Sequence, residues 1–330
     1  MKKVINDPNR VVQEMIEGVI AAHPDKLKNI EGTTVIVRKD APVQGKVALI
    51  SGGGSGHEPA HGGYVGKGML DAAVAGEVFT SPTPDQVYEG IKAIDGGKGV
   101  LMIIKNYTGD VMNFEMAADM AEAEGIKVAK VIVNDDVAVE NSTYTTGRRG
   151  IAGTVFVHKI AGAMADKGGT LEEVEAVARK VIENVKSMGI ALTPCTIPAA
   201  GKPGFEIGDD EMEIGMGIHG EPGIERTKIK TADEIAQLLM DKILPELGLA
   251  AGDKVAVMIN GLGGTPLMEL YILNRKVAEI LAGQNVHVHK TFVGEYMTSL
   301  EMAGCSVSVL KLDDQLAELL DAETDAPAWK

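Results

Sequence analysis

Residues 46–63 read KVALISGGGSGHEPAHGG, and the change of character inside that stretch decides the fold. Lys46 to Ile50 is short and apolar, the pattern of a strand buried on both faces. Ser51 to Gly63 then reads as a glycine-rich loop leaving the strand's carboxyl end. Glycine lets a backbone turn through positive φ and bring N–H groups close to a small ligand. Two imidazoles, His57 and His61, stand at the mouth of that loop. Scaffolding rarely needs so much backbone freedom beside two titratable rings, whereas a site for a small polar molecule does.

Outward from this stretch, strand and helix patterns alternate. β-rich runs occur at Thr33–Val37, Gly99–Ile104 and Lys127–Val133. Asp7-Pro8 opens an amphipathic helix carrying Val11, Met15, Val19 and Ile20 on one side, with aspartate as cap and proline in the first turn. Further helical patterns start near Thr83-Pro84 and Asp110, and a long one runs from Leu171 to about Met188. The pattern predicts an α/β domain over residues 1–187, a mostly parallel sheet flanked by helices. The segment TPCTIPAAGKPGFEIGDDEMEIGMGIHGEPG (193–223) is rich in proline, glycine and acid, and the boundary is placed near Ser187. Beyond it come a β-like run ending at His219 and a helix from about Thr231. A strand at Lys254–Ile259 follows, then a GLGGTP turn opening another helix, and strands at NVHVHKTFV and Ser306–Leu310. Residues 188–330 are therefore expected to form a smaller α+β domain. In open parallel sheets ligands collect at the carboxyl ends of the strands. SGGGSGH (51–57) and KNYTGD (105–110) both satisfy that rule and are expected on one sheet edge.

The bulk properties exclude several classes. A chain of 330 residues with 45% hydrophobic content buries a full core, and 40 glycines suit tight strand-to-helix turns. The 32 basic and 47 acidic residues leave a charge of −15, which argues against nucleic acid as a partner, since phosphate binding needs a cationic surface. No apolar run approaches the roughly 20 residues of a membrane span, and MKKVINDPNR lacks the apolar core of a signal peptide. Cys195 and Cys305 are the only cysteines, too few for a disulfide framework or a cysteine-rich zinc site. A cytoplasmic location is expected.

His57-Glu58-Pro59-Ala60-His61 matches H-E-x-x-H, but that chemistry needs both imidazoles on one face of a helix. Pro59 and the following Gly62-Gly63 break a helix there, so the match reads as coincidence, although spacing alone leaves Glu77 open as a third ligand. No Walker A pattern is present, and G-x-G-x-x-G fails at two glycine clusters, where Gly54 and Gly56 are followed by Pro59 and Gly261 and Gly263 by Pro266. Neither cluster equips the chain to hold ATP, and a phosphoryl donor is expected to arrive from elsewhere. His219, in MGIHGEPG, reads equally as a satisfied core group or a functional ring at a strand end. Asp110 is a helix cap or a reactive carboxylate. Lys105 is a buried amine or a lysine bonded to loop carbonyls. His158, His287 and His289 read as structural or surface groups, and Arg148-Arg149 as a solvated pair, with anion binding as the alternative.

Together these segments resemble the dihydroxyacetone-binding subunit family of dihydroxyacetone kinases. The resemblance runs through MKKVINDPN, GGGSGHEPAHGG, FTSPTPDQ, IIKNYTGD, NDD, RRGIAGT, GIHGEPG and INGLGGTP. It implies a two-domain α/β fold, a homodimer, and covalent capture of a short ketose on a histidine. Carried over by motif, GIHGEPG makes His219 the covalent histidine, contributed by the C-terminal domain. GSGH makes Gly54, Ser55, Gly56 and His57 the substrate loop, with His57 assisting catalysis. KNYTGD supplies Lys105 for binding and Asp110 as binding group and base. Length resembles the stand-alone subunit, whose partner carries ADP and Mg and is rephosphorylated through the phosphoenolpyruvate-dependent phosphotransferase system; no cofactor or metal is expected on this chain. Phe79 and Thr80 are candidates for the pocket wall. Two competing readings are a non-catalytic ketose-binding co-activator of transcription and a lyase using Lys105 as an imine-forming amine.

Overall fold

A computed structural model describes residues 2–142 and 145–329. Its first half runs α1 (Val11–Ala22), β1 (Leu27–Asn29), β2 (Val35–Arg38), β3 (Ala48–Ser55), β4 (Ala72–Val78), α2 (Pro84–Ile94), β5 (Val100–Lys105), α3 (Thr108–Ala123), β6 (Val128–Val133), α4 (Thr154–Asp166) and α5 (Leu171–Asn184). Its second runs β7 (Val185–Ala191), β8 (Glu211–Ile214), β9 (Glu225–Lys228), α6 (Ala232–Leu247), β10 (Lys254–Gly261), α7 (Leu267–Gly283), β11 (His287–Gly294), β12 (Gly304–Leu312) and α8 (Asp314–Asp321).

Two six-stranded sheets result, ordered β1-β2-β4-β3-β5-β6 and β11-β10-β12-β7-β8-β9. In the first, β4, β3, β5 and β6 run parallel, with β1 and β2 antiparallel at one edge. The second is antiparallel except for β10 against β11. Between the sheets lies one apolar core, in which Leu49, Leu101 and Ile103 of the first meet Phe156, Ile160 and Val177 of α4 and α5, and Ala256, Met258 and Leu310 of the second. Helix α4 is covered on all sides: Thr154 to Ala163 are buried without a break. Burying one such Leu or Phe side chain stabilises the fold by about 1.5–3 kcal/mol. Helices α2 and α3 cover the outer face of the first sheet, and α6 and α7 that of the second.

Several expectations are corrected. The glycine run is not a loop: β3 continues through Gly52, Gly53 and Gly54 to Ser55, paired with β4. A Cβ on Gly52 would stand 2.4 Å from Val74 O, so glycine is there to let the neighbouring strand approach. The helix from Leu171 stops at Asn184, and Val185 onward is strand β7. The first helix begins at Val11 rather than at Pro8. The run toward His219 ends as a strand at Ile214, leaving His219 in a turn.

The chain leaves β3, forms β4 on one side and returns to form β5 on the other. The carboxyl ends of β3 and β5 thus flank a point where the connections diverge, the place where such sheets hold ligands. The expected convergence of SGGGSGH and KNYTGD on one edge is what the parallel β3–β5 pairing produces.

Candidate active site

Strand β3 ends at Ser55 and the chain bends sharply at Gly56, whose φ of 105° is a glycine conformation. The bend is stitched to the other half of the molecule: Leu300 N–H donates to Gly56 O at 2.7 Å, and Thr298 N–H to His57 O at 3.2 Å. His57 is fully buried. From the opposite side, Gly217, Ile218 and His219 follow β8 in a tight turn closed by Gly220, whose N–H donates to Gly217 O at 3.1 Å. That turn carries His219 onto His57, Nε2 to Nε2 at 3.0 Å. Phe79 and Tyr107 meet the His219 ring edge-on, with centroids 5.2 and 4.7 Å away, and limit its rotation.

Acceptors fix where the protons lie on the two rings. His57 Nδ1 stands 2.7 Å from Thr298 O, which can only accept, so Nδ1 carries hydrogen. His219 Nδ1 stands 3.1 Å from Glu221 Oε1, and Glu221 Oε2 accepts the His219 backbone N–H at 2.8 Å. Burial works against the Glu221 carboxylate, but His219 and Arg149 outweigh it and hold its pKa at about 2, so Glu221 also only accepts. The short Nε2–Nε2 contact needs one further proton. The two rings therefore hold three protons and one positive charge, opposite the Glu221 carboxylate. Burial, with Lys105 and His219 nearby, holds the His57 pKa well below the usual imidazole range, so His57 is the poorer host for that charge.

Lys105 ends β5 and Asp110 lies in the first turn of α3, both buried. They meet around Gly53: a Cβ there would stand 3.1 Å from Lys105 Nζ and 3.4 Å from Asp110 Oδ2. Among the described residues, Lys105 Nζ, Asp110 Oδ1 and Tyr107 OH have no hydrogen-bond partner within the protein. Buried polar groups are normally paired, so three such atoms in one place mark a site for a polar ligand. Burial lowers the Lys105 pKa, with Asp110 and Glu221 opposing.

The structure thus brings His57, His219, Lys105 and Asp110 together. Gly54, Ser55 and Gly56 are placed differently from a ligand-cradling loop. Gly54 and Ser55 lie in the β3–β4 ladder, Ser55 Oγ donates to Gly76 O at 2.7 Å, and Gly56 N–H is taken by the Glu58 carboxylate at 3.1 Å. The glycine facing the reactive side chains is Gly53, whose position inside a triple-glycine run carried no distinguishing signal. Phe79 stacks on His57 with centroids 5.2 Å apart, while Thr80 N sits 2.5 Å from where a Gly54 Cβ would be. Glu221 and Tyr107 also belong to the site; neither was singled out in the sequence, where Glu221 stands between Gly220 and Pro222.

The two histidines of H-E-x-x-H serve different partners, His57 facing His219 and His61 Nδ1 facing His158 Nε2 at 2.9 Å. Arg149, read as solvated, is fully buried against Asp136 at 2.7 Å, whereas Arg148 pairs with Glu140 and Glu246 at the surface.

A parallel-sheet switch point meeting a histidine turn from a second sheet marks an α/β protein with a candidate site for a small polar ligand, and comparison with known proteins places its family. Residues 17–328 match the family described as the Dak1 domain, and the chain belongs to that family. It is 59% identical over 330 residues to the PTS-dependent dihydroxyacetone kinase 1, dihydroxyacetone-binding subunit DhaK, of Listeria innocua serovar 6a, covering all of both chains. Among solved structures, the dihydroxyacetone kinase of C. freundii superposes with a TM-score of 0.92 at 38% identity, over 99% of this chain and 60% of that one. A dihydroxyacetone kinase operon co-activator superposes at 0.90 with 37% identity, over 96% and 97%. Among the described residues no helix is long and apolar enough to cross a membrane.

Proposed function

We propose that this chain is the dihydroxyacetone-binding, catalytic subunit of a kinase fed by the phosphotransferase system. In this reading it captures the triose on His219 and presents a terminal hydroxyl for phosphorylation by a separate subunit carrying ADP and Mg. That subunit is recharged from phosphoenolpyruvate, and this chain works in the cytoplasm as a homodimer. The observation that carries the reading is the Nε2–Nε2 contact of His57 and His219 beside the unpaired Lys105 and Asp110.

The residues account for each step. His57 takes the shared proton, leaving a lone pair on His219 Nε2. That nitrogen adds to the keto carbon, the carbonyl π bond breaks, and His57 returns the proton to the oxygen, leaving a hemiaminal. His57 is a willing acid because burial and Lys105 disfavour its charged form. The ring of His219 ends alkylated and positive, with Glu221 still opposite it. Lys105 hydrogen-bonds the bound triose, and Asp110 accepts the proton of the terminal hydroxyl as that oxygen attacks phosphorus. Glycerol has similar hydroxyls but no keto carbon and is not captured.

A co-activator that only binds ketose has no use for a base, and Asp110 held beside Lys105 at the substrate end favours the enzyme. Intact-mass spectrometry with dihydroxyacetone, comparing wild type with His219→Ala, tests the capture. A ketose-sized increase present only in wild type supports it; equal labelling of both chains overturns it. Reconstitution tests the rest: phosphotransfer is expected only with the ADP-binding subunit and its phosphodonor, and robust turnover by this chain with ATP alone overturns the assignment.

A further inference from the structure

Outside the chemistry just described, the most unusual group in the molecule is Arg149, the largest fully buried side chain. Its backbone and that of Gly150 to Gly153 are held by two neighbouring aspartates: Asp136 N–H donates to Arg149 O at 3.1 Å, and Asp135 accepts from Ile151 and Gly153 N–H at 2.8 Å each. Its guanidinium is then used in three directions. Nε donates to Asp136 Oδ2 at 2.8 Å, and Nη2 both pairs with that oxygen at 2.7 Å and donates to Gly215 O at 2.7 Å. Nη1 has no hydrogen-bond partner among the described residues, and it lies near Glu221 across Gly217. A Cβ on Gly217 would stand 2.6 Å from Arg149 Nη1 and 2.1 Å from Glu221 Oε2, so cation and carboxylate meet over one bare glycine.

We infer that Arg149, anchored by Asp136, is the positioning residue of the nucleophile. It holds the Gly215–Glu221 turn in place and fixes Glu221 as an anion, and Glu221 in turn aims His219 Nε2 at the substrate. This deepens the capture mechanism proposed above and rests on it. Three features support the assignment over a purely structural role. Gly215 O and Glu221 are the start and end of the turn that carries His219, and the guanidinium is bonded to the first and stands near the second. Glycine at 217 is required by the closeness of the two groups, since any side chain would separate them. Glu221 is a buried anion, a costly state, and Arg149 adds a permanent positive charge to the one that the histidine pair places opposite it. The arrangement is the carboxylate–histidine logic of other covalent catalysts, extended by one charged link.

The test uses Arg149→Met, of similar length and without charge, alone and combined with Glu221→Gln. The double substitution Asp136→Asn/Arg149→Met serves as a second variant, because it removes the cation without leaving Asp136 an unpaired buried anion. Two readouts are needed. The first is the nitrogen NMR signature of the His219 ring in ligand-free protein, which reports whether Nδ1–H is held. The second is the equilibrium of dihydroxyacetone adduct formation against pH. Loss of the fixed Nδ1–H signature is expected in the Arg149 variants, with adduct formation weakened about 10–100-fold and its pH profile displaced. In the Glu221→Gln background, Arg149→Met is expected to add little. A variant that folds and keeps both the ring signature and the pH profile overturns the inference, as does an Arg149 effect equal in size with and without Glu221. Should wild type form no adduct at all, the capture mechanism fails, while the ring signature still decides the role of Arg149.

Discussion

At the residue scale, the site separates capture from transfer, and substitutions should show it. Asp110→Asn keeps His57, His219 and Glu221 intact, so the triose adduct is expected still to form, weakened by no more than the lost Asp110 contact to the triose. Phosphotransfer in the reconstituted system is expected to fall by roughly 10²–10⁴-fold, the range of a lost general base. Mass spectrometry and a coupled assay on the same preparation check both halves, and an unimpaired rate would remove Asp110 from the mechanism. His219 and Lys105 stood out as candidates in the chain, an imidazole before glycine and proline and a lysine at a strand end, but their local setting left each open and only the family resemblance gave them roles. Glu221 and Arg149 did not stand out in this way, because a glutamate in a turn and a paired arginine usually face water. Only the three-dimensional meeting of Gly217, Arg149 and Glu221 shows why these charges are inside.

Elements tell a similar story with a different cause. The parallel order around β3 and β5 was readable from apolar runs of strand length. Strand β4, AAVAGEV, escaped notice because small residues carry little β signal, and the glycines of β3 read as a loop for the same reason. What propensity misses, close approach supplies. Gly52→Ala would place a methyl 2.4 Å from Val74 O and force β3 and β4 apart. A loss of about 1–3 kcal/mol is expected in urea denaturation, and a loss below about 0.5 kcal/mol would mean the strands part freely. Gly53→Ala acts differently. Its methyl would occupy the space between Lys105 and Asp110 at a φ of +152°, so adduct formation is expected to vanish while circular dichroism shows the fold retained. Persistent labelling of Gly53→Ala would move the substrate elsewhere.

On the scale of the whole molecule, the shared core between the two sheets binds the fate of one half to the other. The buried histidines make that core sensitive to acid. Burial, helped by Lys105, holds His158 down at about 3, and burial likewise lowers His57 and His61. Between pH 6.5 and about 3 the unfolded chain takes up a proton at His158 that the folded chain refuses, so stability falls as the pH drops through that window. The His158 share alone reaches roughly 5 kcal/mol once the lower limit is passed. Glu221 adds a second loss at lower pH, from the ordinary carboxylate range of 4.5 down to about 2. Urea midpoints measured from pH 7 to 4 should decline steadily, and a flat profile across that span would contradict the neutral buried rings. The proton inventory of His57 and His219 has an outcome of its own. Because the rings hand one proton to the new hydroxyl and keep the same net charge, closing the covalent bond exchanges no hydrogen ions with the surroundings. Titration heats for triose uptake near neutrality should accordingly be identical in phosphate and in Tris, buffers whose ionisation enthalpies differ widely.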